Sequence, residues 1–148
     1  MSVITARDLY DRDFFEWTRS NAALLRAGQL DQADLEHIAE EIEDMGKSQR
    51  RALESRLEVL LAHLLKWQFQ PGGRGSSWES SIRIQRSKIE KLFRQMPSLG
   101  NALSEDLPDA YRTAVLAAVG ETGLPKSSFP ETCPFTIDQI LDEEFFPE

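Results

Sequence analysis

Apolar residues recur along this chain at helical rather than alternating spacing, and no run reads as a half-buried strand. The spacing predicts a first helix from about Asp8 or Asp11, turning Tyr10, Phe14, Trp17, Leu24 and Leu25 toward a core. Gly28, one position past Ala27, suits its C-terminal end. Asp31 reads as the N-cap of a second helix with Leu35, Ile38, Ile42 and Met45 on one stripe, spaced 3, 4 and 3. Leu53, Leu57, Leu60, Leu64 and Trp67 form a further stripe whose phase is shifted from the one before it. That shift favours a break or kink at Gly46 over a single long helix through it. The glycine-rich run Pro71–Ser76 is a loop, and Ser76 with Glu79 matches a capping box for a fourth helix carrying Trp78, Ile82, Ile89, Leu92, Phe93 and Met96 inward. Pro97 stops that helix. After a short helical piece at 99–103, Pro108 suits the first turn of a fifth helix, buried through Tyr111, Val115, Ala118 and Val119 and ended by Gly120 and Gly123.

Beyond Leu124 the chain is punctuated by Pro125, Pro130, Pro134 and Pro147, with room only for a short helix starting at Thr136. Phe129, Phe135, Ile140, Phe145 and Phe146 make this tail too apolar to hang free. The expected fold is therefore all-α: a bundle of about five main helices sealed by an irregular C-terminal tail. With no internal repeat or dividing linker, residues 1–148 read as one helical domain.

Composition narrows the class. A chain of 148 residues with 41% apolar and 28% charged residues can bury a genuine core. Its single cysteine, Cys133, excludes an intrachain disulfide and fits a reducing compartment. Neither a secretory leader nor an apolar run approaching the roughly 18 residues of a membrane span is visible, so a soluble cytoplasmic protein is expected. The net charge of −8 argues against a surface made to hold nucleic acid. Seven acids and no bases lie between Asp31 and Asp44, whereas residues 74–94 carry six bases against two acids. A basic segment between acidic ones is most simply matched internally, by helices packing beside complementary neighbours.

Several ordered stretches resemble one family of helical bacterial proteins. They are Tyr10-Asp11-Arg12-Asp13-Phe14-Phe15-Glu16-Trp17, Glu40-Glu41-Ile42-Glu43-Asp44-Met45-Gly46, His63-Leu64-Leu65-Lys66-Trp67, Ser77-Trp78 with Gln85-Arg86, and Glu121-Thr122-Gly123-Leu124 leading to Phe129-Pro130-Glu131-Thr132-Cys133-Pro134. In combination they resemble domain of unknown function 29 over nearly the whole chain. The resemblance implies a helical fold and a bacterial source, and it transfers no catalytic role.

Three constellations could carry function. Asp34, His37 and Glu41 share one helical face, and with His63 they could hold a metal ion, as carboxylates and histidines do inside helical bundles. Because His37 and His63 would lie about 39 Å apart on one straight helix, such a site requires the chain to reverse at Gly46. The plainer reading is a surface pair on an acidic helix, with His63 at the edge of a core. Lys66, Arg74, Trp78, Arg83 and Arg86 flank the glycine-rich loop, and cations beside aromatic rings suit an anion, a nucleotide or single-stranded nucleic acid. The loop lacks the Gly-Lys-Ser/Thr of a phosphate-binding loop. The plainer reading buries both tryptophans and pairs Arg86 with an acid such as Glu41 or Glu43. Cys133, with no histidine near it in sequence, reads as a structural turn residue. Finally, apolar residues at the ends of the chain (Val3, Ile4, Phe15, Phe145, Phe146) could bury against a second copy or another protein. Partner binding stands first, metal-dependent chemistry second and nucleic-acid binding third, with no cofactor expected.

Overall fold

The computed structural model describes residues 4–148. They form six α-helices and no strand: α1 (Ala6–Arg12), α2 (Phe14–Arg26), α3 (Leu35–Phe69), α4 (Ser76–Gln95), α5 (Leu103–Thr122) and α6 (Ile137–Leu141). The chain divides into two compact units, Met1–Ser48 and Gln49–Glu148.

In the first unit the expected opening helix is two helices. Asp13 closes α1 and caps α2 at once: its backbone leaves helical geometry at φ −154°, and its carboxylate accepts from the Glu16 amide at 3.1 Å. An aspartate that can bond locally to backbone amides competes with helix continuation, and here it wins. At the other end of α1, Thr5 and Asp8 form a capping box. Gly28, at φ +73°, ends α2 as expected: Gln29 donates back to the Leu24 carbonyl at 2.9 Å. The helix after it starts three residues later than the Asp31 cap implies, because Asp34 rather than Asp31 reaches the first-turn amides, accepting from His37 N at 3.4 Å.

Only Trp17, Asn21 and Asp34 are buried among the described residues of this unit. Phe14 and Leu25 do not point inward as expected, and Leu35, Ile42 and Met45 are 50%, 58% and 61% exposed. The face α3 presents to the unit's interior is instead the polar one carrying Asp34, His37 and Glu41, one strip round the helix from the apolar stripe.

Helix α3 runs without interruption through Gly46, so the expected break is absent. A mid-helix glycine costs about 1 kcal/mol relative to alanine, which the hydrogen-bonded turns on either side outweigh. The second unit opens with the rest of α3, whose Leu53, Leu57, Leu60, Leu61, Leu64 and Leu65 are all fully buried. Ile82 and Ile89 of α4, Ala110, Tyr111 and Ala114 of α5, and Phe129, Phe135 and Ile140 of the tail complete that core. Ser76 is the first residue of α4 rather than its cap, which is Gly75 with no side-chain hydrogen bond. Helix α5 begins a turn before Pro108, leaving that proline inside it, and Gly123 at φ +75° ends it while Gly120 stays helical. The tail folds back as expected, with Thr136 and Gln139 boxing the start of α6. No helix among the described residues is long and apolar enough to cross a membrane.

Candidate functional site

The interior of the first unit is a hydrogen-bonded network. Asn21, one helical turn after Trp17 on α2, donates to the Trp17 carbonyl at 2.9 Å and accepts from the Asp34 amide at 2.8 Å. Asp34, 6% exposed, accepts from the Trp17 indole at 3.0 Å and from His37 Nδ1 at 2.6 Å. Burial alone would raise the Asp34 carboxyl; the bonds from the His37 ring, the Trp17 indole and the His37 amide outweigh it and hold the group below its ordinary value. An ionised Asp34 can only accept, so the His37 ring carries its proton on Nδ1. The imidazole stacks on the Tyr10 ring, with centroids 3.8 Å apart and planes within 6°. Tyr10 in turn donates to Glu41 at 2.5 Å, a bond that, with burial and the acids around it, pushes the phenol up to about 12. Phe14 and Trp17 close the aromatic cluster at 5.4 Å. His37 Nε2 has no hydrogen-bond partner among the described residues.

Of the four residues expected to share a metal ion, the fold brings Asp34 and His37 into contact and commits Glu41 to Tyr10. His63 is 26 residues beyond His37 on the unbroken α3, about 39 Å at 1.5 Å per residue, so the required reversal is missing. It bonds the Val59 carbonyl through Nδ1 at 2.8 Å, and burial first, then Lys66, lowers its affinity for a proton. Among the described residues no group of three or more His, Cys, Asp or Glu side chains could hold an ion. Asp34, His37, Glu41 and His63 therefore do not form one site.

The basic and aromatic residues of the second unit do converge, on a residue the sequence placed in the tail. Phe146 packs 5.0 Å from Trp67, with Arg83 at 5.2 Å and Arg86 at 5.5 Å from its ring. Arg74 lies 5.5 Å from the Trp67 ring and donates to the Trp67 carbonyl at 2.7 Å. Lys66 lies 5.0 Å from the Trp78 ring and pairs with Glu121, while Arg83 pairs with Glu79 at 3.0 Å. Arg86 finds no acid at Glu41 or Glu43; it donates to the Ile140 and Gln139 carbonyls at 2.8 and 3.2 Å, closing the C-terminal end of α6. Arg74, Arg83 and Arg86 hold the tail on the core, while Lys66 lies between Glu121 of α5 and Trp78 of α4. Nη1 of Arg86 is buried with no hydrogen-bond partner among the described residues. Phe145 and Phe146 are half-buried within the same packing and leave the expected apolar surface at the chain ends; Ile4 and Phe15 stay exposed, and Val3 lies outside the described residues.

Two further features belong to the second unit. A cleft of about 720 Å³ runs beside α5, floored by Val115, Leu116 and Phe129 with Arg112 and Lys126 among its lining. Tyr111 borders it, donates to the Pro130 carbonyl at 2.6 Å, and is pushed up to about 12 by burial and by Cys133. Burial likewise raises the Cys133 thiol, which keeps it protonated and chemically quiet, consistent with a structural place in the turn.

The remaining candidate is a surface. Of the eleven exposed large hydrophobics among the described residues, eight fall in residues 4–48 (Ile4, Phe14, Phe15, Leu25, Leu30, Leu35, Ile42, Met45) and three in the longer unit. Sequence periodicity finds the Leu35–Met45 stripe and assigns it to the core. Nothing in the sequence says that Asp34 and His37 would take the inward face in its place.

No curated protein and no solved structure matches the chain. The model of the family described as "Domain of unknown function DUF29" matches residues 9–146. An all-helical chain matched almost from end to end, with the Tyr10–Trp17 and Glu40–Gly46 segments building the first unit's network and stripe, belongs to the DUF29 family.

Proposed function

We propose that this protein is a protein-interaction module whose docking surface is the apolar stripe on the first half of α3. The observation that carries the reading is the concentration of exposed large hydrophobics in the first unit, with Leu35, Ile42 and Met45 each at least half exposed. An isolated exposed leucine is ordinary, but Leu35, Ile42 and Met45 stand exposed along one side of a helix with half-buried Ile38 between them, and grouped apolar exposure of this kind marks contact surfaces. A helix whose adjoining polar strip is fixed by Asp34, His37 and Glu41 presents those apolar residues in a set orientation. The reading requires no catalytic group and no bound cofactor.

The test compares affinity capture from the source cells by the wild-type chain and by an Ile42→Glu, Met45→Glu variant. Both positions are solvent-exposed, so the variant keeps its helical circular dichroism. Species retained by the wild type and lost from the variant are expected; an identical set on both would refute the docking role of α3.

A further inference from the structure

We propose that Arg83 and Arg86 form a binding site for a phosphate group in the second unit, beside Phe146 of the tail. The site is independent of the α3 surface, and three observations carry it.

The first is a buried charge without a counter-charge. Arg86 is 4% exposed, yet it makes no ion pair among the described residues. Its Nε and Nη2 are spent on the Ile140 and Gln139 carbonyls, and Nη1 is buried with no hydrogen-bond partner. A buried charge is costly unless paired, and an orphaned donor adds its own desolvation cost. Bulk water does not reach Nη1, so whatever satisfies it sits within the fold. Burial first, and Arg83 with it, lowers the affinity of Arg86 for its proton, while Asp142 and Glu143 oppose that shift without pairing to it.

Convergence is the second. Arg83 and Arg86 stand one turn apart on α4, and their guanidiniums lie 5.2 and 5.5 Å from the same Phe146 ring. Arg83 gives its Nε and Nη2 to a single Glu79 oxygen. In both forks the Nε–Nη2 edge is therefore occupied and the Nη1 end remains. Two like charges gathered on one ring repel each other, and an oxyanion shared by their free ends replaces that repulsion with attraction.

Space is the third, and with charge it selects the ligand. Arg83, Arg86 and Glu143 line a cavity of about 200 Å³. At roughly 30 Å³ per water it holds about six water volumes, room for one tetrahedral oxyanion with part of its hydration. It falls short of the roughly 300 Å³ at which pockets for drug-sized ligands begin, so a larger ligand would enter by its phosphate alone. Glu143 is exposed, pairs with neither arginine, and with Asp142 works against any anion here. A carboxylate brings one charge against them. A phosphate brings nearly two, and three strong acceptor oxygens for the two forks.

NMR of the arginine Nε–H groups in the full chain tests the site, with inorganic phosphate and methyl phosphate as probes and chloride at matched ionic strength as reference. Either phosphate is expected to shift the Arg83 and Arg86 signals saturably, while Arg74, bound to the Trp67 carbonyl, keeps its own. Arg86 closes the end of α6, so the deciding variants sit at exposed positions. Arg83→Gln should weaken binding by about tenfold, the loss expected for a charge-assisted contact. Glu143→Gln should tighten it, because an opposing charge is gone. Binding of inorganic phosphate alone would assign the site to the free ion; binding of both probes would extend it to phosphate esters. Shifts matched by chloride, binding unchanged in Arg83→Gln, or no shift with either probe would overturn the proposal and leave an ordered water as the partner of Nη1.

Discussion

The two units are built from one helical vocabulary around opposite kinds of interior. In the second, six leucines of α3 and the apolar faces of α4, α5 and the tail make a core whose cohesion is non-directional and grows with the area removed from water. The centre of the first is a tryptophan, an asparagine and an aspartate, joined by bonds of 2.8–3.0 Å and wrapped by stacked aromatic rings. A satisfied polar network specifies one arrangement closely, because any member left unpaired is expensive. It also frees apolar side chains from core duty. The contrast teaches that a helix can be held in place by its polar face while its apolar one is left for another molecule.

The largest effect belongs to the leucine core. Leu60→Ala should lower the unfolding free energy by about 3 kcal/mol in denaturant titrations, since its site is fully closed. A loss below about 1 kcal/mol would mean that the second unit is not packed as described. Next is the hub of the first unit. Asp34→Ala removes a helix cap and strands the Trp17 indole, and should cost about 2–3 kcal/mol. The Trp17 indole resonance should shift while core methyl groups near Leu60 keep theirs; a spectrum changed equally in both places would erase the contrast.

Acid sharpens the same comparison. Asp34 ordinarily titrates at 3.8 and is held lower in the fold, so the unfolded chain takes up this proton first. Its contribution is complete above 3.8 and disappears as pH falls through the folded value. Asp8, lowered by hydrogen bonds from the Thr5 amide and hydroxyl, acts in the same direction. The Trp17 indole signal should therefore report loss of the first unit's network in this acid range. An Asp34→Asn variant should show a flatter acid dependence, and an unchanged one would remove Asp34 from this role. The smallest effect is at Gly46, where alanine should stabilise the helix by about 1 kcal/mol, measured by thermal unfolding, since its Cβ meets nothing. Destabilisation there would show that the glycine serves the folded chain itself.

Much of the second unit was legible because burial and periodicity coincide in it: Leu53, Leu57, Leu60 and Leu64 recur on one face and are buried on it. Gly28, Gly123 and Thr136 were equally readable, since their conformations or bonds are local. The same logic failed in the first unit, where Leu35, Ile42 and Met45 of the regular stripe face water and Ile38 is only half-buried. The i, i+3 pairing of Asp34 and His37 is visible in sequence, and reading it as one face was right. What decides its role is Trp17 and Tyr10, contributed by separate helices, and no spacing rule reaches across that gap. Gly46 misled because its penalty is small against two well-formed flanks, and the phase shift beside it marks a change of buried face rather than a break. Arg86 found backbone carbonyls, acceptors that every residue carries and no sequence pattern singles out.

Because α3 passes unbroken from one unit into the next, a single helix samples two different protections against solvent exchange. Backbone amides around residues 57–65, closed over by leucines, can release their protons only through large-scale opening. Those near residues 42–48, exposed and next to a glycine, need no more than local fraying of the same hydrogen-bonded rod. The deuterium uptake of this one helix thus forms a gradient, and a partner seated on its first half would flatten it from the fast end.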